Sequence, residues 1–163
     1  MAEAVVGLGG NLGDRPGNLN KAVESLGRLS GTRVLAVSPF YETAPFGVPD
    51  EQPDYLNCCV RLETGLSPHA LLGACLGIEA ALGRTRPGEK SARCIDIDLL
   101  LYEGQALCTA ELTLPHPRML ERGFVLVPLS DLFAGQNALG LDFSQEFKSV
   151  EKSGVKPYPG KSI

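Results

Sequence analysis

Asp96 and Asp98 stand two apart in the run Ile95-Asp96-Ile97-Asp98-Leu99-Leu100-Leu101-Tyr102, whose other members are almost all apolar. Such a run reads as a core strand. Residues i and i+2 of a strand face the same side with Cα atoms roughly 6.5–7 Å apart, so the two carboxylates can converge on one hard cation or a pair of them. Burying two adjacent negative charges in so greasy a strand costs several kcal/mol unless a cation answers them. The bland alternative is an amphipathic edge strand whose aspartates face water. Directly before the strand, residues 84–93 deliver four cations, Arg84, Arg86, Lys90 and Arg93. Taken alone, a charge run of this kind is more often solvated. Beside a carboxylate pair it suits polyphosphate chemistry, in which Mg²⁺ neutralises bridging oxygens and guanidiniums hold the charge that develops during transfer.

Two further stretches carry chemistry. Residues 39–54 hold four prolines and a glycine, which exclude regular structure, yet Phe40, Tyr41 and Phe46 are too apolar for a solvated loop. An ordered binding loop fits both facts, as does a loop pinned to the core by its rings. The strand that follows alternates, with Tyr55, Asn57 and Cys59 on one face and Leu56, Cys58, Val60 and Leu62 on the other. An aromatic ring and an amide side by side at a strand start can stack on, and hydrogen-bond to, a flat heterocycle. Residues 112–124 then supply Thr113, His116, Arg118, Arg122 and Phe124, with His116 held between two prolines that fix its direction.

The elements that must position these groups follow from period and punctuation. Residues 4–9 make a short strand running into a turn rich in glycine. That turn matches neither dinucleotide nor P-loop spacing, because Leu12 stands where a glycine is needed. Leu19, Ala22, Val23, Leu26 and Leu29 recur at helical spacing up to Gly31, and residues 33–38 read as the next strand. Ser67-Pro68 is a capping residue followed by a first-turn proline, and Leu71, Leu72, Cys75, Ile78 and Leu82 carry that helix to Gly83. Glu79 lies beside its apolar stripe as a solvated residue or a ligand contact. Glu103-Gly104 turns the aspartate strand back into a hairpin over residues 105–108. Residues 125–133 return to the core, while the Lys-, Gly- and Pro-rich residues 144–163 read as a poorly ordered, dispensable tail after a domain at 1–143.

At 163 residues the chain is long enough for one domain with a single core. Its net charge of −4 argues against general nucleic-acid binding, which wants a basic stripe. The five cysteines include an adjacent pair and show no metal spacing, so they read as reduced, mostly buried thiols. The start Met-Ala-Glu-Ala-Val-Val has no basic, apolar leader, and no apolar run approaches the length of a membrane span. A cytoplasmic protein without membrane or nucleic-acid partners is expected, and no obvious apolar face asks for a dimer, so a monomer is expected too.

In this order the motifs resemble the 6-hydroxymethyl-7,8-dihydropterin pyrophosphokinase family. They are the Gly/Asn-Leu-Gly start, Phe-Tyr-x-Thr-x-Pro-x-Gly at residues 40–47, Gln-Pro-Asp-Tyr-Leu-Asn at 52–57, Gly-Arg-x-Arg at 83–86, Arg-x-Ile-Asp-Ile-Asp-Leu-Leu at 93–100, and Leu-x-Leu-Pro-His-Pro-Arg with Arg-x-Phe at 112–124. Any one is weak; six in sequence are specific. The resemblance implies an α+β, ferredoxin-like single domain, a mostly antiparallel sheet with helices packed on it. It implies diphosphate transfer from ATP to the pterin hydroxymethyl group in folate biosynthesis, with AMP as the other product. Asp96 and Asp98 would ligate two Mg²⁺ ions, and Arg84 and Arg93 would join them in catalysis. Tyr55 and Phe124 would sandwich the pterin, with Thr43, Pro45, Phe46 and Asn57 also in its site. Arg86, Arg93, Leu99, Thr113, His116 and Arg122 would contact the nucleotide. The chain departs from the family pattern in having Lys90-Ser91-Ala92 where a tryptophan is common, and Ala44 and Phe46 in the pterin loop. Two other readings compete: a non-catalytic nucleotide- or pterin-binding module, and an Asp-dependent phosphohydrolase that needs no acceptor.

Overall fold

In the computed structural model, which describes residues 1–45, 53–83 and 94–159, the first half of the chain alternates strand and helix as β-α-β-β-α-β. Strand β1 (Ala2–Gly10) leads into α1 (Arg15–Gly27), which starts where the Asp14 side chain accepts the Gly17 N–H at 3.1 Å and Pro16 fills the first turn. Leu19, Ala22, Val23 and Leu26 are its buried stripe. Strands β2 (Thr32–Val37), β3 (Tyr41–Thr43) and β4 (Tyr55–Thr64) follow. Helix α2 (Pro68–Ala81) is capped by Ser67, which accepts from the Ala70 N–H at 3.2 Å. Strand β5 (Asp96–Tyr102) is the aspartate strand.

All pairings in the main sheet are antiparallel, and β1 lies between β4 and β5. Ten-residue β4 is shared on its outer side, its first three residues pairing with β3 and its second half with β2. The order β5-β1-β4-β2 is the double split β-α-β of a ferredoxin-like α+β fold, as expected. One face of the sheet packs Val6, Leu8, Leu56, Val60, Leu62, Ile97 and Leu99 against α1 and α2. The other packs Val5, Cys59, Leu100 and Leu101 against the second half of the chain. Leu100 and Leu101 both reach that second face because β5 carries a bulge: Val5 pairs with Leu101 and Val6 with Leu99, so Leu100 is the extra residue.

The second half departs from expectation at residues 105–108 and 144–157. Residues 105–108 do not pair back on the aspartate strand: the Gln105 N–H closes the turn on the Tyr102 carbonyl, but β6 (Leu107–Cys108) then pairs with β7 (Thr113–Leu114) in a separate ribbon. After a short 3-10 turn at Met119–Glu121, the apolar run forms helix α3 (Gly123–Leu132) despite Pro128 inside it. The hairpin β8 (Asn137–Ala138) and β9 (Leu141–Asp142) turns through Leu139 and Gly140, both at positive φ. The stretch expected as a loose tail forms helix α4 (Ser144–Ser149) and strand β10 (Val155–Pro157), and β10 pairs antiparallel with β3. Its composition is that of a linker, yet the open edge of β3 supplies backbone partners. No helix among the described residues is long and apolar enough to cross a membrane.

Candidate functional site

The site begins with register. Asn57, Gly9 and Asp96 lie in one row across β4, β1 and β5, and Cys59, Gly7 and Asp98 in the next row on the same face. Directly paired residues of a sheet point the same way. The middle strand therefore contributes no side chain to either row, and a trough opens between the Asn57 side and the aspartates. A Cβ on Gly9 would come 2.7 Å from Asn57 Oδ1, so this position cannot take even alanine without moving Asn57. Gly7 and Gly9 were not among the site residues read from the sequence. Their signal was available, since alternating glycines in a strand mark close approach by a ligand or backbone.

Above this floor is a cavity of about 640 Å³. Its walls include Thr43 and Ala44 from the end of β3, Tyr55 and Asn57 from β4, Asp96 and Asp98 from β5, and Arg118, Arg122 and Phe124 from the entrance to α3. Asn57, only 6% exposed, donates from Nδ2 to Thr43 Oγ1 at 3.1 Å, which fixes both groups. Tyr55 and Phe124 border the same space, so the two rings expected to flank a heterocycle are both there. The Arg122 guanidinium lies 5.5 Å from the Phe124 ring centroid. Arg118 was not among the expected contacts, yet it lines this cavity. Among the described residues neither Arg118 nor Arg122 makes an ion pair, which leaves two cations available to an anionic ligand.

A second, smaller cavity of about 280 Å³ lies at the edge of β5, between α2 and the β6-β7 ribbon. Leu72, Leu76, Ile97 and Leu99 give it an apolar side, while Thr113 and His116 give it polar groups. Asp98 lines both cavities, and so stands at their junction. His116 is drawn below the ordinary imidazole pKa by burial, with Asp98 opposing and Arg122 and Arg118 acting in the same direction as burial. The Arg118 backbone N–H donates to His116 Nδ1 at 3.3 Å, so the neutral ring carries its proton on Nε2. Glu79, left open in the sequence as solvated or ligand-binding, is 4% exposed and accepts the Ile97 N–H at 2.7 Å, bracing β5 between its two aspartates.

The expected residues Thr43, Tyr55, Asn57, Phe124, Asp96, Asp98 and Arg122 thus surround the larger cavity, and Leu99, Thr113 and His116 the smaller. Pro45 lines neither, and Phe46, Arg84, Arg86 and Arg93 lie outside the described residues. No group of three or more His, Cys, Asp or Glu side chains suited to a metal occurs among the described residues. Asp96 and Asp98 are the two carboxylates that the sheet sets side by side on this wall. Two carboxylates with room for phosphate and water suit Mg²⁺, which is usually held by one or two carboxylates and substrate phosphates rather than by an all-protein cage.

The sequence model of the family described as 7,8-dihydro-6-hydroxymethylpterin-pyrophosphokinase (HPPK) matches residues 5–134. Over 156 residues the chain is 43% identical to the 2-amino-4-hydroxy-6-hydroxymethyldihydropteridine pyrophosphokinase of Methylorubrum extorquens, covering 96% of this chain and 98% of that protein. The enzyme of the same name from Bacillus subtilis is 40% identical over 159 residues, covering 95% of each. Among solved structures, an HPPK-DHPS crystallised in complex with substrates aligns with a TM-score of 0.68 at 13% identity, over 91% of this chain and 43% of that one. Plasmodium falciparum HPPK-DHPS with SDX-DHP gives 0.66 at 16% identity, over 91% and 43%. At those identities the structural likeness speaks for the fold, and this chain spans less than half of either solved chain.

Proposed function

The chain belongs to the 7,8-dihydro-6-hydroxymethylpterin-pyrophosphokinase family, and from that premise we propose how its two joined cavities carry out the reaction. The enzyme transfers the diphosphate of ATP to 6-hydroxymethyl-7,8-dihydropterin in folate biosynthesis, leaving AMP. The pterin occupies the larger cavity between Tyr55 and Phe124, its amide edge read by Thr43 and Asn57, with Pro45 and Phe46 in the adjoining segment. The nucleotide enters the smaller cavity, its base and ribose against Leu99 and Thr113. His116 offers a neutral Nε2–H to its phosphates. Arg122 faces the polyphosphate, joined by Arg84, Arg86 and Arg93.

The observation that supports this arrangement best is the position of Asp98 on the wall of both cavities. A group transferred between two substrates must pass the place where their sites meet. Asp96 and Asp98 would hold Mg²⁺ there, two ions in this reading, which would supply charge neutralisation at the phosphate oxygens. The pterin hydroxymethyl oxygen attacks the β-phosphorus in line. A new O–Pβ bond forms as the bond from Pβ to the α,β-bridging oxygen breaks, and the electron pair leaves on AMP. The hydroxyl proton passes to solvent or a phosphate oxygen. What the protein contributes is orientation, exclusion of water and fixed positive charge. The changed basic loop, Lys90-Ser91-Ala92, is the one feature that favours a non-catalytic binding module, and retention of both aspartates and of Arg84, Arg86, Arg93 and Arg122 argues against it. The reading also has the chain acting as a monomer in the cytoplasm, and sedimentation velocity checks the monomer.

Phosphorus NMR of the products tests the proposal. With ATP, Mg²⁺ and the pterin alcohol, AMP and the pterin diphosphate ester are expected. Neither should form when metal or pterin is omitted. ADP as the nucleotide product, or free pyrophosphate without an acceptor, would refute it.

A further inference from the structure

Strand β3 supplies Thr43 to the larger cavity, yet it is only three residues long. Each of its residues is held from outside the strand. The Tyr41 hydroxyl donates to the Asp131 carboxylate on α3, Glu42 pairs with Arg15 at 2.8 Å, and Thr43 accepts from Asn57. Its outer edge is covered by β10, with Val155 opposite Thr43, Lys156 opposite Glu42 and Pro157 opposite Tyr41. The pairing is extended by the Tyr158 N–H, which donates to the Phe40 carbonyl at 2.9 Å.

The same C-terminal segment reaches the other walls of the cavity. Arg15 lies 5.7 Å from the Tyr158 ring centroid and also donates to the Asp54 carbonyl at 3.0 Å, one residue before Tyr55. At its near end, the Glu151 carbonyl oxygen sits 2.3 Å from where a Cβ on Gly123 would be, and Val155 Cγ2 lies 3.4 Å from that point. Only glycine fits there, and the next residue is Phe124. Glu151 itself lines the larger cavity, whereas among the described residues none beyond Pro117 lines the smaller one.

We propose that residues 151–158 form a strap that positions the pterin half of the site, setting the Phe124 wall against Thr43 and Tyr55. A flat ring between two others needs walls about 7–8 Å apart, twice the optimal carbon–carbon contact, and a gap of about 0.5–1 Å already forfeits a quarter to a half of each contact. Loosening the strap therefore weakens pterin binding and leaves the nucleotide cavity untouched. The inference rests on the pterin reading of the larger cavity.

Calorimetry on the full chain tests it. The Kd of α,β-methylene-ATP with Mg²⁺ is measured first, then that of 6-hydroxymethylpterin with the analogue saturating. Tyr158→Pro removes both the N–H donor and the ring, and is expected to weaken pterin binding at least tenfold while the nucleotide Kd stays within twofold. Tyr158→Phe keeps both and should match the parent chain. Arg15→Ala, a milder change should Tyr158→Pro fail to fold, is expected to weaken pterin binding about three- to fivefold. A pterin Kd within twofold of the parent in every variant that folds, or equal weakening of pterin and nucleotide, overturns the strap. A parent chain that binds nucleotide but no pterin overturns the reading of the cavity itself.

Discussion

A carboxylate at the junction of two cavities is in the position where its loss should be felt most in turnover and least in folding. Asp98→Ala is expected to lower kcat by about a hundred- to a thousandfold, the scale of removing one preorganised electrostatic contact at a reacting group. Its melting temperature should hold, because taking one negative charge from an adjacent pair relieves repulsion. A collapsed circular dichroism spectrum would instead make the pair structural. Gly9→Ala should act on the pterin side alone, since its new methyl displaces Asn57 Oδ1 and with it the hydrogen bond to Thr43. We expect about 1 kcal/mol of lost stability in urea unfolding and a raised KM for pterin with KM for ATP unchanged.

At the scale of elements, β5 depends on its brace from α2. Glu79→Ala leaves the Ile97 N–H without this acceptor, and an unsatisfied buried donor costs about 1–3 kcal/mol. The expected drop in melting temperature is about 2–4 °C per kcal/mol for a chain of this size, and Glu79→Gln, which keeps an acceptor oxygen, should lose less. Much of this architecture is legible in the sequence. The period-2 alternation from Tyr55 to Leu62 assigns those side chains to the faces they occupy, and Ser67-Pro68 and Gly83 bound α2 as read. What is not legible depends on partners far along the chain. Pro128 hides α3, which exists because Val125, Leu126 and Leu129 find a sheet face to cover. The composition of β10 says linker, and only the open edge of β3 makes it a strand. The bulge that gives Leu100 its extra place in β5, and the sharing of Asp98 by two cavities, likewise need the assembled sheet.

For the molecule as a whole, the cysteines set an alkaline limit. Burial pushes the Cys58 and Cys59 thiols up, and Cys75 is pushed up to about 12 by burial with Glu79 and Asp98 adding to it. All three stay protonated in the native state at a pH where the unfolded chain would ionise them. Their contribution is complete below the unfolded value of 9.0 and is lost as pH rises from there, for Cys75 up to about 12. Each buried thiol then costs about 1.4 kcal/mol per pH unit. Urea unfolding at pH 8, 9 and 10 under reductant should show stability falling with pH, and Cys75→Ala should flatten the slope. An aromatic disulfide reagent should meet only Cys94 and Cys108 in the native chain and all five thiols once it is unfolded. The bare floor of β1 carries a last consequence, for chemotherapy. A competitor shaped like the pterin, bound as proposed, would rest on Gly7 and Gly9, where a larger residue would crowd Asn57 and Leu100 and so disturb the seat of drug and natural substrate alike; escape by mutation at that surface would sacrifice the vitamin it was meant to protect.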